Sequence, residues 1–107
     1  MASTFMAMSN GMGIALEKGF EMATVLTGLA GDMASFYNVR VDVANTALQS
    51  IFTGETESLK KFGIVLTEAN LQAFALSRGI TKSYSSMSQA EKVALRYAYV
   101  LQATSQA

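Results

Sequence analysis

Apolar residues recur every three or four positions along most of this chain, and the sequence contains no proline. That spacing is the period of an α-helix, whereas a half-buried strand would alternate with a period of two. The sequence therefore predicts an all-α protein, a small bundle of about five to six helices with one long central helix.

The long central helix is predicted from about Ala15 to Tyr37. Apolar residues spaced four, three, four and three apart form one seam along it; they are Met22, Leu26, Leu29, Met33 and Phe36. Gly19 also lies inside this helix, where glycine costs about 1 kcal/mol relative to alanine.

Small residues occupy a second face of the same helix, about 200° from the seam; they are Thr24, Gly28, Gly31 and Ser35. Small side chains let a second helix approach closely. We expect a central helix that is packed on both sides within one bundle. The alternative is a face that is kept for another subunit.

Helix stop signals divide the rest of the chain. The segment 1–14 is predicted to be the end of an upstream helix that stops near Asn10, followed by a loop with Gly11 and Gly13. Asn38 is expected to end the central helix. A third helix then runs from near Val41 to Gly54, and its predicted inner face consists of Ala44, Leu48, Ile51 and Phe52.

The stretch GETESLKKFGI, residues 54–64, is the most charged part of the chain. It predicts a short exposed helix in which Glu57 pairs with Lys61 four residues later. Leu59 and Phe62 give it a narrow apolar edge, and Gly63 ends it in the left-handed conformation.

Two further helices have clear start signals. Thr67 is expected to cap a helix from Glu68 to Arg78, which Gly79 closes. The stretch SQAE, residues 88–91, is a capping box in front of the last helix. The apolar residues that follow this box are Val93, Ala94, Tyr97 and Leu101.

Composition excludes several classes of function. The chain of 107 residues is one domain or a piece of a longer protein, and its eight basic residues balance eight acidic ones. No summed field attracts nucleic acid or an anionic membrane. Without cysteine and histidine there are no thiolates, catalytic triads or common zinc sites. We predict no enzyme activity, no catalytic residues, no metal and no cofactor.

Four blocks of sequence resemble one family. They are LTGLAGDMASFYN (26–38), ALQSIFTGETESLKKFGI (47–64), EANLQAFALSRGI (68–80) and MSQAEKVALRYAYVLQATSQA (87–107). In order and spacing they are similar to the core region of phage tail tape measure proteins, and the similarity extends from about Ala15 to the end. The resemblance implies a tape measure core domain at 15–107. We interpret the chain as a fragment or a prophage remnant.

The family resemblance implies a structural protein of the virion tail, made in the cytoplasm of the bacterial host and placed in the lumen of the tail tube. Proteins like this are thought to set tail length and take part in tail assembly. The implied partners are tail tube and distal tail proteins, tail assembly chaperones and further copies of the chain. No direct contact with nucleic acid is expected, and contact with a membrane is expected only during infection.

Two alternatives remain open at this point. The charged segment is a candidate partner contact, through Gly54, Glu55, Glu57, Lys60, Lys61 and Gly63, or a solvated helical connector. The whole chain could also be a membrane-active helical segment that assists DNA passage into the host cell, because its first sixteen residues carry no charge.

Overall fold

The structure is a computed structural model that describes residues 2–11 and 13–105. Its helices are α1 (Ala2–Gly11), α2 (Leu16–Tyr37), α3 (Val41–Leu48), α4 (Ser50–Thr53), α5 (Glu68–Ser77) and α6 (Gln89–Ser105). Single 3₁₀ turns lie at Lys60–Phe62 and Tyr84–Ser86. The described residues form no strand, so the predicted all-α bundle with a long central helix is confirmed.

The core is formed by two groups of helices. α2 packs against α1 and α3, while α6 packs against α4 and α5. Fully buried side chains come from all parts of the chain; among them are Phe5, Met22, Leu26, Leu48, Ile51, Phe52, Leu59, Leu71, Val93 and Val100. One continuous apolar cluster therefore joins both groups of helices.

Helix α1 belongs to the same core as the rest of the chain. The side chain of Phe5 is fully buried, and its ring centroid lies 6.1 Å from that of Phe52. Helix α1 ends at Gly11, one residue beyond the predicted stop. Whether the segment 1–14 continues an upstream helix stays a prediction.

Gly19 lies where α1 and α2 are in close contact. A Cβ atom built on Gly19 would lie 2.4 Å from Oγ of Ser9, a residue that is itself buried. Real Cβ atoms essentially never come that close to another atom, so a larger residue would force the Ser9 side chain to move. The cost of glycine inside a helix is therefore offset by packing against α1.

The predicted stops coincide with the ends of the helices. Asn38 takes the left-handed conformation with φ of 55°, which asparagine adopts more readily than most residues. It caps α2 through its backbone N–H. Gly54, Gly63 and Gly79 also have positive φ. The single helix expected between Val41 and Gly54 is divided at Gln49 into α3 and α4.

Side-chain caps fix the starts of the last two helices. The hydroxyl of Thr67 accepts the Asn70 backbone N–H at 3.2 Å. At α6 the Ser88 Oγ accepts the Glu91 N–H at 3.1 Å, and the Glu91 carboxylate accepts the Ser88 N–H at 2.9 Å. The predicted cap and the predicted capping box are both confirmed.

Candidate functional site

The charged segment 54–63 is a turn followed by one 3₁₀ turn, so the predicted short helix is confirmed only over Lys60–Phe62 and only in the 3₁₀ form. The carboxylate of Glu55 organises the turn by accepting hydrogen bonds from the Glu57 N–H, the Ser58 N–H and the Ser58 hydroxyl. The Ser58 hydroxyl and the Glu57 N–H lower the pKa of Glu55. Bonds to the N–H groups two and three residues later have the pattern of a cap, and the 3₁₀ turn at Lys60–Phe62 follows directly.

The predicted ion pair between Glu57 and Lys61 is wrong. Glu57 instead pairs with Lys60, with 3.2 Å between Oε1 and Nζ. A 3₁₀ turn has three residues per turn and brings residues three apart onto one side. Lys61 points elsewhere and lines a surface cavity together with Asp42 and Ser58.

Two buried residues anchor the segment 54–63, as the sequence predicts. Leu59 and Phe62 are buried in the core. The hydroxyl of Tyr37 donates to the carbonyl of Phe62 at 3.1 Å, and the two rings meet edge to face at 5.0 Å between centroids. These contacts therefore anchor the segment, with its exposed charged side chains, to the core.

Gly54, predicted as a partner contact, packs against Arg96 of the same chain. A Cβ on Gly54 would lie 2.9 Å from Nη2 of Arg96. The other five predicted contacts, Glu55, Glu57, Lys60, Lys61 and Gly63, are all exposed. The candidate contact surface consequently begins after Gly54.

Arg96 was missed by the sequence analysis and is only 7% exposed. Its Nε donates to the Tyr84 hydroxyl at 2.9 Å, and its Nη1 donates to the Ile51 carbonyl at 3.0 Å. The guanidinium also lies over the Tyr84 ring, 5.9 Å from its centroid. The position of Arg96 between Val93 and Val100 on one helical face was the available signal.

Most of the predicted seam of α2 lies in the core, but its last member does not. Met22, Leu26 and Met33 are buried, Leu29 is half-buried and Phe36 is 67% exposed. A strict seven-residue repeat drifts by about 20° per heptad on a straight helix. The buried stripe therefore turns away from Phe36 towards Ala30 and Ala34.

The expectation that α2 is packed on both sides within the bundle is wrong. Thr24, Gly28, Gly31 and Ser35 are exposed. Nothing lies within 4 Å of a Cβ built on Gly28 or Gly31. The second face of α2 is open in the described part of the chain. Ala94 on α6, placed beside the apolar residues of that helix, is exposed as well.

Two large apolar side chains stand out at the start of α2. Leu16 is 73% exposed and Phe20 is 65% exposed. They are four residues apart and thus share one side of the helix. Neither the α1–α2 contact nor the core covers them, so this end of α2 presents an apolar surface.

The described residues hold no group of three or more acidic side chains that could bind a metal ion. Glu21 of α2 is exposed and pairs with Lys18, and Glu17 beside it is exposed too. Across residues 2–11 and 13–105, no helix combines the length and the apolar character that crossing a membrane requires.

Comparisons of the chain with models of known protein families, with curated proteins and with solved structures find no match. The resemblance to tape measure proteins therefore stays a hypothesis, carried by the four sequence blocks.

Proposed function

We propose that the chain is a segment of a phage or prophage tail tape measure protein that acts in tail assembly and tail length determination inside the tail tube. The observation that carries the proposal is the order and spacing of the four blocks between Leu26 and Ala107. The chain is a helical domain whose charged turn is anchored in the core. Such a surface suits a protein that acts by binding partners and catalyses no reaction.

Within such a protein the segment would act as an assembly contact and add little to tail length. One continuous helix of 107 residues would span about 160 Å at 1.5 Å per residue. The folded chain has a longest dimension of 37 Å and a radius of gyration of 13.1 Å. Its effect on the tail would then come from its surface.

The proposal is tested by an in-frame deletion of this segment from an intact phage. Electron microscopy should show no tails or malformed tails. The control is a deletion of equal length in a part of the tape measure protein that forms a continuous helix, which should shorten the tail in proportion. Infectious particles with tails shortened by the full extended length would show that this segment is itself the ruler.

The anchored segment 54–63 is the proposed contact for tail tube proteins, distal tail proteins or tail assembly chaperones. Its lysines are exposed, so their charges are available to a partner. In the intact phage, Lys61→Glu should reduce the yield of tails. Arg40→Glu makes the same charge change at an exposed residue outside the segment. Equal losses of tails in both variants would contradict a specific contact.

Self-association is part of the same proposal. The isolated chain exposes several large apolar side chains, among them Leu16, Phe20, Phe36 and Leu76. Exposed apolar patches usually bind partners. Light scattering should show oligomers whose mass falls in a Phe20→Ser variant. A monomer at high concentration would remove this part of the proposal.

A membrane-active segment is the second candidate, and the exposure of Leu16 and Phe20 next to an uncharged α1 favours it. An amphipathic end of this kind can lie in a lipid interface without spanning the bilayer. Co-sedimentation with neutral vesicles and leakage of a trapped dye measure it. Binding that persists in Phe20→Ser would count against this surface.

A further inference from the structure

A cavity of about 280 Å³ opens where the C-terminal parts of α2 and α6 meet the end of the charged segment. Its walls are mostly apolar and include three aromatic rings, those of Phe36, Tyr37 and Phe62. The rings are fixed relative to one another, because Tyr37 meets Phe36 edge to face at 4.9 Å and Phe62 at 5.0 Å. The cavity is therefore preformed.

Asp32 is the single charged residue among the ten that line this cavity. It is exposed and takes part in none of the ion pairs of the described residues. Asp32 and Phe36 are four residues apart on α2, so their side chains are neighbours on one face. A carboxylate thus lies beside an aromatic ring at the mouth of the cavity.

The hydrogen-bond donors of the lining residues are already used. The Tyr37 hydroxyl donates to the Phe62 carbonyl, and the Thr104 hydroxyl donates to the Val100 carbonyl at 2.9 Å. The backbone N–H groups of Gly63 and Ile64 donate to carbonyls of the same turn, at 2.9 and 3.1 Å. The Phe62 N–H donates to the Leu59 carbonyl at 3.0 Å. The other lining residues lie in α2 and α6, past the first turn, where N–H groups are bonded. The described lining residues therefore leave no donor for an anion.

The end of α2 adds to the negative character of the cavity. α2 ends at Tyr37, one of the residues that line the cavity. The C-terminal end of a helix carries a partial negative charge, which a basic residue in its last turn would offset. The last turn of α2 has no basic residue. The end of α2 and Asp32 therefore both favour a cation.

Neither Lys60 nor Lys61 of the charged segment supplies the cation for this cavity. Lys60 is paired with Glu57, and Lys61 lines the separate cavity beside Asp42. Aromatic rings together with a carboxylate are the chemistry that binds an ammonium or guanidinium group. We infer that this cavity binds the side chain of a lysine or arginine carried by an apolar segment of a partner protein.

The size and rim of the cavity favour a protein side chain over a free small molecule. Its volume of about 280 Å³ lies just below the roughly 300–1,000 Å³ that small-molecule pockets occupy. Phe36 is 67% exposed at the rim and offers apolar area to the residues that flank the bound side chain. Exposed aromatic residues of this kind are typical anchors in protein interfaces. The inference rests on the cavity alone and does not depend on the tail function.

The test is a nuclear magnetic resonance titration of the isotope-labelled full chain with the acetylated, amidated pentapeptides ALKLA and ALELA. ALKLA should shift the amide signals of Asp32, Phe36 and Gly63, whereas ALELA should not. Asp32→Asn and Phe36→Ala should each weaken ALKLA binding about two- to fivefold. Both residues are exposed, so the variants should unfold at the wild-type temperature.

Asp42→Asn is the matched control, since it removes the same charge at an exposed residue that lines a different cavity. It should leave ALKLA binding unchanged. Equal binding of ALKLA and ALELA, equal losses in Asp42→Asn and Asp32→Asn, or no binding at all would overturn the inference. Tetramethylammonium that binds as tightly as ALKLA would overturn the assignment to a protein side chain.

Discussion

Gly19 on the inner face of α2 has Ser9 of α1 against it, whereas Gly28 and Gly31 on the outer face have no atom within 4 Å of a built Cβ. All three glycines carry the same intrinsic cost in a helix, about 1 kcal/mol relative to alanine. On the inner face that cost is offset by the close approach of α1. On the outer face nothing in the described chain offsets it, and this leaves room for a neighbour from outside the chain.

The largest expected effect comes from truncating a buried leucine of α2, compared with a half-buried leucine of the same helix. Leu26 is fully buried and Leu29 is half-buried. Leu26→Ala should lower the free energy of unfolding by about 2–5 kcal/mol, because it leaves a cavity in the core. Leu29→Ala should cost about 1 kcal/mol. Urea titration compares the two variants, and equal small losses would mean that the inner face of α2 is not core.

Gly19→Ala should come next, with a loss of about 1–3 kcal/mol from overpacking against α1. The added Cβ meets the Ser9 Oγ at 2.4 Å but the Ser9 Cβ only at 3.3 Å. Ser9→Ala should therefore recover part of the loss in the double variant, which a double-mutant cycle measures. Simple additivity would argue against contact at this position.

Gly28→Ala and Gly31→Ala should have the opposite sign. Each should raise the free energy of unfolding by about 0.5–1 kcal/mol, because alanine fits an open helical position and restricts the unfolded chain. Urea titration of dilute protein measures this. If either variant lost as much stability as Gly19→Ala, the outer face would have a close neighbour within the chain.

The smallest expected effect is on the pH dependence of the free energy of unfolding, and it serves as a control for the comparison of the glycines. The Ser88 N–H, followed by Lys82 at 2.9 Å, lowers the pKa of Glu91 from 4.5 to about 2. A lowered carboxyl pKa stabilises the folded protein above about pH 4.5, and this contribution is lost as the pH falls towards about 2. Glu91→Gln should remove that part of the acid dependence in urea titrations.

Acid should leave the two glycine effects unchanged, because, the chain neighbours aside, no titratable group lies within 4 Å of a Cβ built on Gly19 or Gly28. The stability differences of Gly19→Ala and Gly28→Ala, measured against the wild type at each pH, provide the check. A difference that changes between pH 5 and pH 2 would tie one of these positions to a charged neighbour.

Local signals predicted the helix ends well. Asn38, Gly79 and the capping box at Ser88 act through residues within four positions of themselves, so the sequence alone contains the whole interaction. The same reasoning failed for the charged segment. There the segment 54–63 forms one 3₁₀ turn in place of the expected helix, and Glu57 pairs with Lys60 instead of Lys61.

Tertiary neighbours decided what the sequence could not. Phe36 and Met33 both fit the predicted seam, but only Met33 is buried. The openness of Gly28 and Gly31 depends on where the chain places its other helices. The cation-binding cavity joins residues from α2, α6 and the turn at Phe62, which no local pattern brings together.

The bond from Arg96 to the Ile51 carbonyl connects residues 45 positions apart. A ribosome adds roughly 5–20 residues per second, so about 2–9 s pass between the synthesis of Ile51 and that of Arg96. During that time α1, α2 and α3 already have their partners, whereas the end of α4 still faces water. The newly made chain should thus acquire its structure from the N-terminal side, and α6 completes it last.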